Sequence, residues 1–289
     1  MTFGMKVKEM LQAVERKIEQ LIADLNDKDV RALYQQLPSG KRLRAKLILK
    51  IAGSELLVIK TAAVVEMIHA ASLLHDDVID DAYTRRAKPS LNALYGNKTS
   101  IMLGDILYAK GFFELGTISP EVAKIISNAV IQLSLGELKD VSLSNAFNTD
   151  KAVYLEMIYQ KTASLMEASA GAAALLAGKP KESYMTYGKN LGLAFQMMHD
   201  FEEGKTTLPY IYLHEALPSH EKETLKSLHA KKLRPVEQQW IKSKMQEHQI
   251  IQKAYDEARQ LIEEAIALMD SRGEAALSGI ALQMIERDF

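Results

Sequence analysis

Apolar residues recur three and four positions apart along nearly the whole chain, the spacing that gives a helix one buried face. This spacing predicts a first helix over Met5–Leu25 that Asn26 and Asp27 break, then a short helix ending at Gln36. A further helix runs through Lys50 and stops near Gly53, and the next covers Glu55–Asp80. Helices follow over Thr99–Leu115, Pro120–Leu143, Thr149–Ala177 and Lys181–His199. From Leu208 onward they alternate with breaks at Pro218, Leu233–Pro235 and Arg272–Gly273. The prolines mostly fall at such breaks, where the missing N–H does least harm. Thr84–Pro89 reads as a loop, and no segment shows the strict alternation of a strand. With no fixed-period repeat, the simplest architecture is one all-α domain, a helical bundle over residues 1–289.

Composition narrows the class. Of 289 residues, 47% are hydrophobic and 25% charged, ordinary values for a globular protein with a large core. A formal net charge of −1 gives no basic field for nucleic acid. The chain has no cysteine, which excludes disulfides and thiolate metal sites and is compatible with a cytoplasmic location. No run approaches eighteen consecutive apolar residues, so no transmembrane segment is expected; peripheral contact with a membrane stays open.

The chemistry concentrates at Leu73–Arg86, LLHDDVIDDAYTRR. Asp76 and Asp80 fall one helical turn apart, about 6 Å along the axis, as do Asp77 and Asp81. Four carboxylates ending an apolar helix repel one another unless a counter-charge is near. Magnesium takes oxygen ligands from one or two carboxylates plus substrate phosphates. Arg85 and Arg86 follow at once, with the fork geometry that suits phosphate. The alternative is a solvated acidic helix end followed by a basic turn.

Other stretches carry weaker signals. In LPSGKRLR, Lys41, Arg42 and Arg44 lie in or near a first helical turn, where N–H groups and cations together favour an anion; a solvated basic turn reads the same way. Lys161 and Thr162 interrupt a surface of small apolar residues, and that lysine either snorkels to water or faces a buried anion. In FQMMHDFEEGKTTLP, Gln196 follows an apolar turn, Asp200 belongs to an acidic set, and Lys205 follows a glycine. His199 has no histidine partner at ligand spacing and reads as structural.

The segments GKRLR, HAASLLHDDVIDDAYTRR, GDILYAKGF, GELKD, YQKTASL, FQ and EGKTTLP resemble, in order and spacing, the trans-type isoprenyl diphosphate synthases. The resemblance runs from about Ser39 to Phe289. It implies an all-α isoprenoid synthase fold around a deep central cavity, and a homodimer. It implies condensation of isopentenyl diphosphate with an allylic diphosphate, with Mg2+ as cofactor. Residue by residue, it places Asp76 and Asp80, supported by Asp77, on magnesium. Lys41, Arg44, His69 and Arg86 fall on isopentenyl diphosphate. Arg85, Lys161 and Lys205 fall on the allylic diphosphate. Thr162 and Gln196 lie beside the departing group, and Asp140 orients Lys161. Ala71 and Ser72, one turn below Asp76, are small where short-chain members carry aromatics, which implies a medium- or long-chain, octaprenyl-like product. Either Ile68, Met67, Val65 and Val64 further down that helix, or the facing 120–143 helix through Ile131, Leu135 or Leu133, would then supply a floor.

One departure stands out. The family carries a second aspartate-rich motif after FQ; here FQMMHD runs straight into FEEGKTTLP, and His199 stands where its first aspartate would be. Asp200 is the remaining candidate metal ligand. Either a loop is missing from the chain as given, which predicts a break near His199–Phe201, or the deletion is real and the step there is intact. A true deletion would also fit a non-catalytic subunit of a heteromeric synthase. A third reading is a helical scaffold with merely superficial charge clusters.

Overall fold

The computed structural model describes residues 3–144, 146–203, 207–229, 231 and 233–285. Fifteen α-helices are present among them: α1 (Phe3–Ala23), α2 (Lys28–Gln35), α3 (Leu43–Ala52), α4 (Leu56–Ile79), α5 (Leu91–Tyr95), α6 (Asn97–Leu115), α7 (Pro120–Ser144), α8 (Lys151–Ile158), α9 (Ser164–Leu176), α10 (Lys181–Glu203), α11 (Leu208–Ala216), α12 (Ser219–Ser227), α13 (Pro235–Glu247), α14 (Ile250–Asp270) and α15 (Ser278–Ile285). The all-α class is as the pattern predicts. The loop expected at Thr84–Pro89 is instead a two-residue hairpin, β1 (Thr84–Arg85) with β2 (Lys88–Pro89), paired antiparallel. Arg86 and Ala87 form its turn, both at positive φ (53° and 59°), the backbone twist a tight hairpin turn demands. Hydrophobic periodicity cannot register a ladder this short.

The chain divides into two compact units, Met1–Val130 with Ala168–Met185, and Ile131–Glu167 with Thr186–Phe289. The first is built on α4, which packs against α1, α3 and α6. From Thr61 to Ile68 every residue of α4 is buried, so the helix is enclosed all round rather than presenting one face to the core. By length and hydropathy α4 would pass for a membrane span, yet more than half of that window lies inside the fold, as for the core helix of a soluble protein. Gly111 lets α6 approach it closely: a Cβ there would lie 3.1 Å from Ile68 Cγ1. The predicted break at Asn26–Asp27 is found. Asn26 is left-handed (φ 55°), and the Asp27 carboxylate caps α2 by accepting from the Asp29 and Val30 N–H groups.

In the second unit α14 presents Ile250, Ala254, Ala258, Ile262, Ala265 and Met269 to the interior, the stripe of an amphipathic helix. The Tyr187 hydroxyl donates to the Leu277 carbonyl at 2.7 Å, tying α10 to the segment before α15. The helix expected over Thr149–Ala177 is interrupted by a π-turn at Tyr159–Ala163. Two glycines allow for it. A Cβ on Gly136 of α7 would fall 2.3 Å from the Lys161 amide nitrogen, and one on Gly192 of α10 would fall 2.5 Å from Ala163 Cα. The π-turn is thus packed backbone to backbone on both sides, and π-turns within α-helices are frequent at functional sites.

The interruption expected near His199–Phe201 is not found. α10 runs unbroken from Lys181 to Glu203.

Candidate active site

In the first unit, α4 ends where its aspartates begin. Asp80 is its C-cap, donating its N–H to the Asp76 carbonyl at 2.8 Å, and Asp81 turns the chain away at φ 49°. Carboxylates here meet the negative end of the helix dipole, which costs rather than contributes stability. The four aspartates have separate fates. Asp77 is buried, and its Oδ1 accepts from Arg85 Nε at 2.7 Å and pairs with Nη2 at 2.6 Å. Asp77, expected to support magnesium, holds Arg85 through Oδ1. Asp80 is exposed and Asp76 half-buried.

Cations gather nearby. Arg44, in the first turn of α3, has a buried Nε with no hydrogen-bond partner. Burial pushes its guanidinium below the usual value, with Glu66 opposing. Arg86 lies over Gly40, where a Cβ would come within 3.0 Å of Nη1, and donates to the Pro38 carbonyl at 3.1 Å. This contact fastens the hairpin to the loop that carries the exposed Lys41. His69 is pushed well below the ordinary histidine value by burial and then by Arg44, Arg86, Arg85 and Arg42. Of those arginines, Arg85 is paired with Asp77 and Arg42 with Glu15 and Glu66, whereas Arg44 Nε is unpartnered.

Arg42 lies outside this binding set. It is left-handed (φ 52°) and precedes α3, and its guanidinium is held by Glu15 at 2.6 and 3.0 Å and reaches Glu66 at 3.4 Å. Glu66, buried on α4, also accepts from the Ala45 N–H at 3.0 Å. Glu15 and Glu66 were invisible as site residues in sequence, because nothing in their spacing links α1, α3 and α4.

Of the residues expected to govern chain length, Ala71, Met67 and Ile68 are fully buried, and Ile68 faces Gly111 of α6. Ser72 is half-buried, one turn below Asp76, and its hydroxyl donates to the His69 carbonyl at 2.9 Å. The open face of α4 therefore passes through Asp76, Ser72 and His69. In the second unit Leu133 is buried, but Ile131 and Leu135 are exposed, so neither is an enclosed floor there.

The second unit holds its own cluster, built on the π-turn. Lys161 Nζ meets Asp140 Oδ2 at 2.5 Å and Glu137 Oε2 at 2.9 Å. Burial would lower its pKa, but the two carboxylates outweigh this and hold it above the ordinary lysine value. Glu137 was missed in sequence, although it stands three residues before Asp140 on one face of α7. Thr162 Oγ1 donates to Gln196 Oε1 at 2.6 Å, and Gln196 Nε2 donates to Asp200 Oδ1 at 2.7 Å. Asp200 Oδ2 in turn accepts from the buried Tyr154 hydroxyl at 2.7 Å. Asp200, expected as a metal ligand, is 5% exposed and has a hydrogen bond on each carboxylate oxygen. Lys205 lies outside the described residues.

Residues 28–256 match the polyprenyl synthetase family. The chain is 45% identical over 143 residues to solanesyl-diphosphate synthase 1 of Oryza sativa, covering 48% of this chain and 33% of that protein. It spans between 33% and 62% of the length of the first four curated relatives it matches. The crystal structure of octaprenyl pyrophosphate synthase from Helicobacter pylori superposes with a TM-score of 0.91 at 35% identity, covering 97% of this chain and 99% of that one. A polyprenyl synthase from Caulobacter crescentus, solved with calcium and isoprenyl diphosphate, gives 0.85 at 28% identity, covering 97% and 95% of the two chains. With a family match over most of its length and a fold shared from end to end with these enzymes, the chain belongs to the polyprenyl synthetase family.

Proposed function

We propose that this chain is a prenyltransferase. It joins isopentenyl diphosphate to an allylic diphosphate such as farnesyl or geranylgeranyl diphosphate, making a medium- or long-chain all-trans polyprenyl diphosphate. The observation that carries this is the buried Arg44 guanidinium at the start of α3, whose Nε has no partner. A buried donor left unsatisfied costs about 1–3 kcal/mol, and a diphosphate oxygen is the acceptor such a site suits.

The carboxylates fit magnesium. Asp76 and Asp80 supply two oxygen donors, Asp77 is spent on Arg85, and no group of three or more metal-ligating side chains occurs among the described residues. Such a pair fits a cation that completes its shell with substrate oxygens. When bound, magnesium would neutralise charge building on the departing diphosphate.

The chain's own residues do the rest. Lys41, Arg44, His69 and Arg86 hold isopentenyl diphosphate. The resemblance assigns Arg85, anchored by Asp77, Lys161, kept charged by Asp140 and Glu137, and Lys205 to the allylic diphosphate, where cations would stabilise the leaving charge. Thr162, held by Gln196, turns its hydroxyl oxygen toward the carbocation. Ser72, small and on the open face of α4, leaves room for the growing chain. The exposed stripe Ile131, Leu135, Leu138 and Val141 on α7 supports a homodimer, since contiguous exposed apolar surface marks an interaction face. A cytoplasmic location belongs to the same proposal and is checked by fractionation.

The test is incorporation of radiolabelled isopentenyl diphosphate with farnesyl diphosphate as primer, with and without magnesium, followed by product mass analysis. Magnesium-dependent elongation beyond twenty carbons is expected. No incorporation by correctly folded protein with any allylic primer overturns the proposal.

A further inference from the structure

We infer that Asp200 is a positioning residue that sets the polarity of the Thr162–Gln196 pair, in place of the metal ligand that an aspartate after FQ would otherwise suggest. The inference deepens the proposed reaction and rests on it for its kinetic arm alone.

The argument begins with valence. An ionised carboxylate only accepts hydrogen bonds. Asp200 accepts from Tyr154 on one oxygen and from Gln196 on the other, both at 2.7 Å, and is 5% exposed. The Tyr154 phenol must be the donor there, and burial followed by the charge of Asp200 pushes its pKa well above the ordinary value. The Gln196 group facing Asp200 must be the NH2, because its carbonyl oxygen would meet a second acceptor. Oε1 is then forced toward Thr162, at 2.6 Å, and the only partner it can take is the Thr162 proton. Amide orientation and hydroxyl rotation are otherwise set by the surrounding network alone. Here one buried charge settles both.

The consequence lies at Thr162. With its proton committed to Gln196, Oγ1 presents lone pairs in every other direction, the electron-rich end of a dipole. That suits a cationic centre and not a diphosphate oxygen. The π-turn holds Thr162 beside Lys161, whose ammonium faces Asp140 and Glu137. Neighbouring residues on one turn therefore present opposite polarity, with positive charge from Lys161 and lone pairs from Thr162. Asp200 enforces the second half of that arrangement at a distance, through Gln196. A cation on Asp200 would compete with Tyr154 and Gln196 for the charge of the same two oxygens and weaken their hold on the amide.

Asp200→Asn is isosteric and separates the two roles. Its amide can donate as well as accept, so Gln196 is free to flip and Thr162 to turn its proton outward. Mn2+ binding is counted by electron paramagnetic resonance in the presence of inorganic pyrophosphate for wild type, Asp200→Asn and Asp76→Asn. Melting temperatures are measured for Asp200→Asn, Thr162→Val and the double variant. We expect Asp200→Asn to bind as many Mn2+ ions as wild type while Asp76→Asn binds fewer. The losses in melting temperature from Asp200→Asn and Thr162→Val should be non-additive, since contacting members of one network couple. Loss of an Mn2+ ion from Asp200→Asn, or simple addition of the two losses, overturns the inference. In turnover, kcat should fall about a hundredfold, the scale for losing one preorganised dipole, with KM for both diphosphates near wild type; a rise in KM with kcat unchanged also overturns it. If wild type shows no prenyl transfer, the proposed function fails while the melting comparison still decides the hydrogen-bond chain. Tyr154→Phe, which removes a single oxygen at its far end, replaces Asp200→Asn in both measurements should the latter fail to fold.

Discussion

Replacing Gly136 with alanine tests whether backbone contact at the π-turn positions the lysine cluster. The added Cβ would sit 2.3 Å from the Lys161 amide nitrogen, 2.7 Å from the Gln160 carbonyl carbon and 2.8 Å from Gln160 Cβ. Two of those three atoms are backbone, so no side-chain rotation relieves the clash. Reaching ordinary contact requires α7 and the π-turn to separate by about 1 Å. Overpacking of this kind costs about 1–3 kcal/mol, which for a chain of this size lowers the melting temperature by roughly 2–10 °C. The same displacement stretches the Lys161 contacts to Asp140 and Glu137, now 2.5 and 2.9 Å. A 1 Å misplacement at a reacting centre is worth about a hundredfold in rate. The assay is thermal unfolding by circular dichroism beside kcat for isopentenyl diphosphate incorporation. Gly116→Ala is the control: at φ −60° its nearest contact is 3.4 Å, and its effect should stay within about 0.5 kcal/mol. If Gly136→Ala melts and turns over like wild type, the argument that the π-turn is held by close backbone approach is wrong.

Three further outcomes follow from named residues. Asp80→Asn removes a negative charge from the C-terminus of α4, so without metal the variant should be more stable by about 0.3–1 kcal/mol, while the rise in melting temperature on adding magnesium and pyrophosphate should shrink; an undiminished rise would remove Asp80 from the metal site. His69 is held neutral in the folded chain, its pKa depressed below the ordinary 6.5. Above pH 6.5 both states are neutral there and its contribution is complete. As pH falls below 6.5 the unfolded chain binds the proton first, and stability drops by at most about 1.4 kcal/mol per pH unit until the folded pKa is reached. His69→Gln should flatten that slope in melting curves between pH 7.5 and 5, and an unchanged slope would assign the pH dependence elsewhere. Ser72→Tyr should shorten the product seen by mass spectrometry, whereas Ala71, fully enclosed, should respond to the same change mainly by losing stability; equal product lengths in wild type and Ser72→Tyr would discard the channel reading.

The helices were legible because burial imposes a period that survives without coordinates: the six interior residues of α14 and the continuous apolar run of α4 are readable in one dimension. The chemistry at Asp76–Arg86 was legible because its charges are neighbours in sequence, one helical turn apart. The residue types alone did not say how each charge is used. Asp77 and Asp200 look like metal ligands beside Asp76 and Asp80, and only packing buries them against Arg85 and against Tyr154 with Gln196. Glu66, Glu15, Glu137 and Tyr154 carried no signal strong enough to single them out, since a partner 20 to 50 positions away leaves no local trace. The π-turn was equally silent, for it depends on two glycines from other helices that let backbones touch. Sequence by itself determined where the chain coils and which ionisable groups cluster along it, because both are set by near neighbours. Tertiary structure alone decided which of those groups stay open to a ligand and which are spent holding another side chain, because desolvation and hydrogen-bond pairing depend on what other segments bring to the same point.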